Sequence, residues 1–239
     1  MIIEKFEDFC IEKRGGKVML SAPHCYDQWR HEKIKRRETR SGVLVKSVAS
    51  NLRCSCIYKT KFFYDDPNWD EKSTYRAELV NFIKKNEIKC LLDIHTMRAE
   101  RETDICIGTN CMKNIQGRKD MLDVVWKCFK DYGFQHVEID KPFNASHHNV
   151  VSCDVAEKCK IPCFQIEINN RFMHRAYEDF DFDKVKRVVK DIVNELEKDG
   201  RFVNINIAGP GFINFTLSDE YKKEIINKVN TDLFSNIDK

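Results

Sequence analysis

The chain has 239 residues, 42% hydrophobic and 33% charged, with 41 Lys+Arg against 38 Asp+Glu. That apolar fraction supports a real core and excludes wholesale disorder, while a net charge of +3 is too balanced to make nucleic acid the default partner. Mean hydropathy is −0.53 and no stretch approaches the roughly 18 apolar residues of a membrane span, so no membrane association is expected. The opening Met1-Ile2-Ile3-Glu4-Lys5-Phe6-Glu7-Asp8 has acids where an export signal carries basic and then apolar residues. Eleven cysteines, an odd number in a chain too large to need staples, therefore read as reduced thiols in a cytoplasm.

Segments of strand length alternate with segments of helix length. Lys17-Val18-Met19-Leu20-Ser21-Ala22 is a short apolar run stopped by Pro23, which predicts a buried strand. Over 38–51 the residues Val43, Leu44, Val45 and Val48 recur near helical spacing, and Cys54-Ser55-Cys56-Ile57-Tyr58 is strand-like. Residues 70–86 carry Tyr75, Leu79, Phe82 and Ile83 on one helical face, and 88–94 reads as a core strand. A short strand over 104–107, a helix over 115–132 and strands over 134–139 and 163–168 follow. The clearest amphipathic helix is 182–198, with Val185, Val188, Val189, Ile192, Val193 and Leu196 on one face. Asp181 is placed to cap it and Gly200 follows its end. Such alternation predicts a three-layer α/β/α domain around a mostly parallel mixed sheet, over residues 1–200.

Ligands of open α/β sheets bind beyond the carboxyl ends of the strands, so polar residues just after the apolar runs are the candidates. His24 follows the first strand, His95 follows Leu91-Leu92-Asp93-Ile94, and Glu167 sits near the end of Phe164-Gln165-Ile166-Glu167-Ile168. Glu38 precedes the helix after the first strand. If the strands are parallel, these four converge on one sheet edge. Two histidines and a carboxylate make a catalytic zinc set with one position open for water, whose pKa the ion would lower to about 7. Glu167 would then take the proton and return it to a leaving nitrogen. Arg98 and Arg101 would stabilise the developing oxyanion or grip a substrate carboxylate. Asp27 competes with Glu38 for the metal, and Asp93 fits a partner that orients His95. Cys25 beside His24 offers a rival thiol nucleophile, although eleven scattered cysteines make such neighbours expected by chance. Another alternative is a non-catalytic module that holds metal or ligand on the same scaffold.

Pro23-His24, Lys35 with Glu38-Thr39-Arg40-Ser41-Gly42, Leu92-Asp93-Ile94-His95, Arg101 with Asp104-Ile105-Cys106-Ile107-Gly108-Thr109, and Gln165-Ile166-Glu167-Ile168-Asn169 occur in that order. This series resembles the N-formylglutamate amidohydrolase family, relatives of the zinc carboxypeptidases and of aspartoacylase and succinylglutamate desuccinylase, over about residues 15–195. The resemblance implies a phosphorylase/hydrolase-like fold and one zinc ion per chain held by His24, Glu38 and His95, with Glu167 as general base and Arg101 as a second catalytic group. Arg76, Arg98, Arg101 and Arg171 would, with zinc, make the cleft positive, which points to hydrolysis of the amide of an N-acyl amino acid or short acidic peptide. Asp66-Pro67-Asn68-Trp69-Asp70 resembles a segment where relatives place Asn-Arg against the substrate carboxylate. Here Trp69 replaces the Arg, leaving Asn68, Arg98 and Arg76 from the next helix as expected substrate-binding residues. Arg171, which follows Glu167, would add to a positive cleft. The loop 143–151 is similar to a Gly-rich active-site loop but has no glycine and carries His147-His148.

The segment 201–239 differs in kind. Phe202-Val203-Asn204-Ile205-Asn206-Ile207 alternates, breaks at Ala208-Gly209-Pro210-Gly211, and resumes as Phe212-Ile213-Asn214-Phe215-Thr216-Leu217, which predicts a β-hairpin followed by a polar helix from Ser218. The phrase 208–215 resembles the N-terminal domain of arginyl-tRNA synthetases. We expect an appendage or a ribbon that joins two copies, with RNA binding disfavoured because the tail's lysines are offset by acids.

Overall fold

Leu91 and Leu92 are neighbours on one strand yet belong to two different hydrophobic clusters. Met19 and Leu20 divide in the same way. Successive strand side chains point to opposite faces, so the sheet is covered on both sides. The computed structural model describes residues 1–198, 202–208 and 212–217. In chain order it forms β1 (Ile2–Lys5), β2 (Phe9–Lys13), β3 (Val18–Ala22), β4 (Gln28–Arg30), β5 (Lys33–Lys35), α1 (Ser41–Leu52), β6 (Ser55–Lys59), α2 (Thr74–Lys85) and β7 (Cys90–Met97). There follow β8 (Ile105–Gly108), α3 (Lys119–Asp131), β9 (Val137–Ile139), α4 (Val151–Cys159), β10 (Cys163–Asn169), α5 (Asn170–Met173) and α6 (Phe182–Glu197).

The main sheet runs β1-β2-β6-β3-β7-β10-β8-β9. Its centre is parallel, β6 with β3, β3 with β7 and β7 with β10, while β2 lies antiparallel to β6 and β8 antiparallel to β10. Helices α1, α3 and α6 pack on one face, and α2 and α4 on the other. The architecture is therefore the mixed, mostly parallel three-layer α/β/α arrangement that the alternation predicts. Asp181 accepts a hydrogen bond from Lys184 N at 2.8 Å and caps α6, whose six predicted apolar residues are all buried. Burial of each such side chain stabilises the fold by roughly 1.5–3 kcal/mol.

Boundaries shift where local chemistry decides them. Helix α2 starts at Thr74 because Ser73 Oγ accepts from Arg76 N. Helix α3 starts at Lys119 because Asn110, Cys111, Met112, Gln116 and Gly117 all take positive φ, which breaks the predicted 115–132 helix. Strands β1 and β2, the β4/β5 hairpin and α4 lack a long periodic signal and have no counterpart in the sequence reading.

Gly42 has a specific packing role. A Cβ there would lie 2.8 Å from Cys25 Cβ and 2.9 Å from its Sγ, so only glycine lets α1 approach the loop that carries His24. Gly42→Ala is expected to destabilise the fold by about 1–3 kcal/mol through overpacking. Urea denaturation checks it, and an unchanged midpoint would refute the close packing.

The chain divides into two compact units, Met1–Leu196 and Glu197–Lys239. In the second, β11 (Phe202–Ala208) pairs antiparallel with β12 (Phe212–Leu217), as the alternation predicts. The expected Gly-Pro-Gly corner and the helix from Ser218 lie outside the described residues.

Candidate metal centre

On β7 the face that carries Leu91 turns polar as the strand nears its carboxyl end, at Asp93 and then His95. The neighbouring strand β10 does the same, from Cys163 to Gln165 to Glu167. The parallel register sets Gln165 beside Asp93 and Glu167 beside His95. His24 follows β3, the strand on the other side of β7, and its carbonyl accepts from Glu38 N at 2.8 Å. Three adjacent parallel strands thus deliver the sequence candidates to one edge.

His24, Glu38 and His95 offer one ligand atom each, all within 4.8 Å of one another. His24 Nδ1 lies 2.8 Å from Glu38 Oε1 and His95 Nδ1 lies 3.1 Å from Glu38 Oε2. The other nitrogens meet different carboxylates: His24 Nε2 is 2.9 Å from Asp66 Oδ1, and His95 Nε2 is 3.0 Å from Asp93 Oδ2. A carboxylate behind each imidazole fixes its ring and makes the opposite nitrogen a better donor to a cation.

The electrostatics favour a positive occupant. Burial works against the Glu38 carboxylate, but Lys35, His95 and His24 outweigh it and hold its pKa well below the usual range. Burial likewise opposes charging of His95, yet Glu38 and Asp93 raise its pKa well above the ordinary value. Asp66 is held low despite burial by His24 and Arg30. Asp93 Oδ1 is buried with no hydrogen-bond partner among the described residues. Two buried carboxylates, Asp66 and Asp93, and the half-buried Glu38 face two imidazoles here, and a divalent cation between the Nδ1 atoms and Glu38 suits that donor set. A His-His-Glu arrangement able to ligate a metal ion is therefore present.

Glu167 stands beside this cluster. Gln165 Nε2 donates to its Oε1 at 3.0 Å, and Glu167 lines the cavity. Burial, with Glu38 and Asp93 nearby, pushes its pKa up to about 7 against the pull of His95. The cavity over the cluster has a volume of about 740 Å3, and Arg30, Lys35, Arg36, Arg37, Arg98 and Arg101 all line it. Arg101 stacks its guanidinium 4.9 Å from the Phe143 ring, and among the described residues no carboxylate pairs with Arg98 or Arg101. Asn68 also lines the cavity; Val151 N donates to its Oδ1, and its Nδ2 lies 3.2 Å from His95 Nε2.

Other sequence candidates sit elsewhere. Asp27 binds Arg36 and the Arg37 backbone N–H and takes no part in the cluster. Arg76 is buried and donates to the carbonyls of Pro67, Asn149, Asp70 and Glu71, so it braces the 66–71 loop, and it does not line the cavity. Arg171 pairs with Asp104 and donates to the Arg101 carbonyl. Cys25 Sγ donates to the Lys59 carbonyl, and burial pushes its thiol up to about 12, which removes it as a nucleophile. His147 stacks between His148 and Trp69 and, with Trp69, lines the cavity, but neither histidine belongs to the three-residue cluster. Sequence reasoning missed Asp66, Arg30 and Gln165. Of these, Gln165 was within reach, because it lies two residues before Glu167 on one strand face.

Solved structures share this architecture. N-formylglutamate amidohydrolase from Ralstonia eutropha JMP134 aligns with TM-score 0.57 and 12% identity, over 81% of this chain and 98% of that one. A bacteriophage poly-gamma-glutamate hydrolase aligns with TM-score 0.52 and 13% identity, over 81% and 92%. The Agrobacterium tumefaciens gene product Atu2144 gives TM-score 0.52 and 11% identity, over 81% and 97%. At these identities the likeness establishes the fold. No curated protein matches the sequence. The arginyl tRNA synthetase N terminal domain family matches residues 182–217 only. That match includes α6, whose apolar face is buried in the core of the first unit.

Proposed function

We propose that this chain is a zinc-dependent amidohydrolase that cleaves the amide of an N-acyl amino acid or small acidic peptide. Residues 1–200 would form the catalytic domain and 201–239 an appendage. The carrying observation is the His24, Glu38 and His95 cluster, each imidazole buried and backed by its own carboxylate, with Glu167 adjacent but not among the three. His24, Glu38 and His95 would hold a divalent cation, which would supply Lewis acidity and bring the pKa of water toward neutrality. Glu167 Oε2 takes the proton of the attacking water and delivers it to the leaving nitrogen, while Gln165 holds Oε1. Arg101, stacked on Phe143, keeps its N–H fork for the oxygen that gains charge, and Arg98 and the cations beside it orient the substrate carboxylate.

Protein purified without chelator is expected to carry about one zinc per chain, and His95→Ala to lose it. Undiminished zinc in that variant would reject the ligand assignment. A panel of N-acyl amino acids assayed with and without chelator tests the activity. Equal turnover of a neutral amide analogue would reject the carboxylate-binding role and leave the metal chemistry standing.

A further inference from the structure

The cations over the metal centre can hold a substrate's carboxylate, but an uncharged acyl group gives them nothing to bind. The same cavity has one wall of a different kind. Trp69 and His147 line it from two separate loops, their rings 5.6 Å apart and within 10° of parallel. At that spacing parallel rings are offset and cover only part of each other's faces. His148 continues the stack 4.5 Å from His147, and His31, between β4 and β5, lies 4.2 Å from the indole at a tilt. With these neighbours in place Trp69 is still 39% exposed. Asn68, the residue before it, reaches to 3.2 Å from His95 Nε2, so the wall adjoins the metal centre.

The wall is held in place from behind. Buried Arg76 donates to the carbonyls of Pro67, Asp70 and Glu71 on one loop and of Asn149 on the other, which clamps the two loops together. Asn149 Nδ2 donates to the Trp69 carbonyl at 2.8 Å, and the Asn149 backbone N–H donates to His147 Nδ1 at 3.3 Å. Arg30 lies 5.6 Å from the centre of the indole, but its Nε is already paired with Asp66. Flat π faces fixed in advance favour a flat, π-bearing partner over a saturated one of the same size. We propose that the Trp69–His147 wall is an acyl-group subsite that selects a planar aromatic acyl group. The preferred substrate is then an N-aroyl amino acid, its carboxylate on the arginines and its ring against the indole. This rests on the hydrolase reading above.

The test compares the benzoyl, cyclohexanecarbonyl and acetyl derivatives of glutamate as substrates of the zinc-loaded enzyme. The benzoyl compound is expected to exceed both others in kcat/KM by about tenfold. Trp69→Leu should bring the benzoyl and cyclohexanecarbonyl compounds to near equality, whereas Trp69→Phe should keep most of the preference. Equal kcat/KM for those two substrates in the parent protein overturns the subsite, and so does a preference that survives Trp69→Leu. Calorimetric titration of N-benzoylglutamate into the parent protein and Trp69→Leu separates the two readings. Weaker binding by the variant, with no hydrolysis of any of the amides, keeps the subsite and rejects the hydrolase. Hydrolysis without a benzoyl preference, and with equal binding by both proteins, does the reverse.

Discussion

Glu167→Gln is expected to lower kcat for an N-acyl amino acid by about a hundredfold or more, with zinc content unchanged. The substitution keeps the shape of the side chain and its contact with Gln165, and removes only the capacity to accept a proton. Glu167 lies beside His95 in strand register but is not one of the three clustered groups, so the proposed site should stay assembled. This separation distinguishes an enzyme from a module that only binds. A binding module needs the histidines and Glu38, whereas hydrolysis also needs a base outside them. The measurement is kcat on the variant alongside its zinc content. Full activity in a zinc-loaded variant would reject Glu167 as the base. Lost zinc would place Glu167 among the residues that build the site.

How much of this was legible depends on where each residue lies relative to a strand. His24, His95 and Glu167 were readable because each ends an apolar run, and parallel neighbours bring such ends together. Asp93 was readable as the partner of His95 because residues two apart share a strand face. Asp66 sits in a loop and Arg30 ends the three-residue strand β4, too short to show a period, so their approach to His24 left no trace in spacing. The setting of Arg76 was hidden for a related reason. Its charge was visible in sequence, but not the four backbone carbonyls that take up its N–H groups. The antiparallel edges were hidden because short strands such as Ile2–Lys5 carry too few residues to show a period.

Lys59→Met is expected to destabilise the fold by about 3–5 kcal/mol. Lys59 and Asp8 are 1% and 2% exposed, and the ammonium donates to Asp8 Oδ2 and, at 3.0 Å, to the Asp65 carbonyl. Removing the lysine leaves the Asp8 carboxylate buried without its counter-charge, and that uncompensated charge is the main cost. Lys59→Met with Asp8→Leu removes both charges and should recover much of the loss. The effect also reaches the candidate centre. Asp65 is tied to Ser73, and the next residue, Asp66, backs His24, so the pair anchors the loop that orients one imidazole. Zinc affinity in Lys59→Met should therefore fall by about 10–100-fold, the range for a lost orienting partner. Urea denaturation of the single and double variants, with zinc titration of the single, measures both effects. If the double variant is as unstable as the sum of its singles, the two charges are not coupled. If Lys59→Met binds zinc like the parent protein, the sheet edge does not set the geometry of the centre.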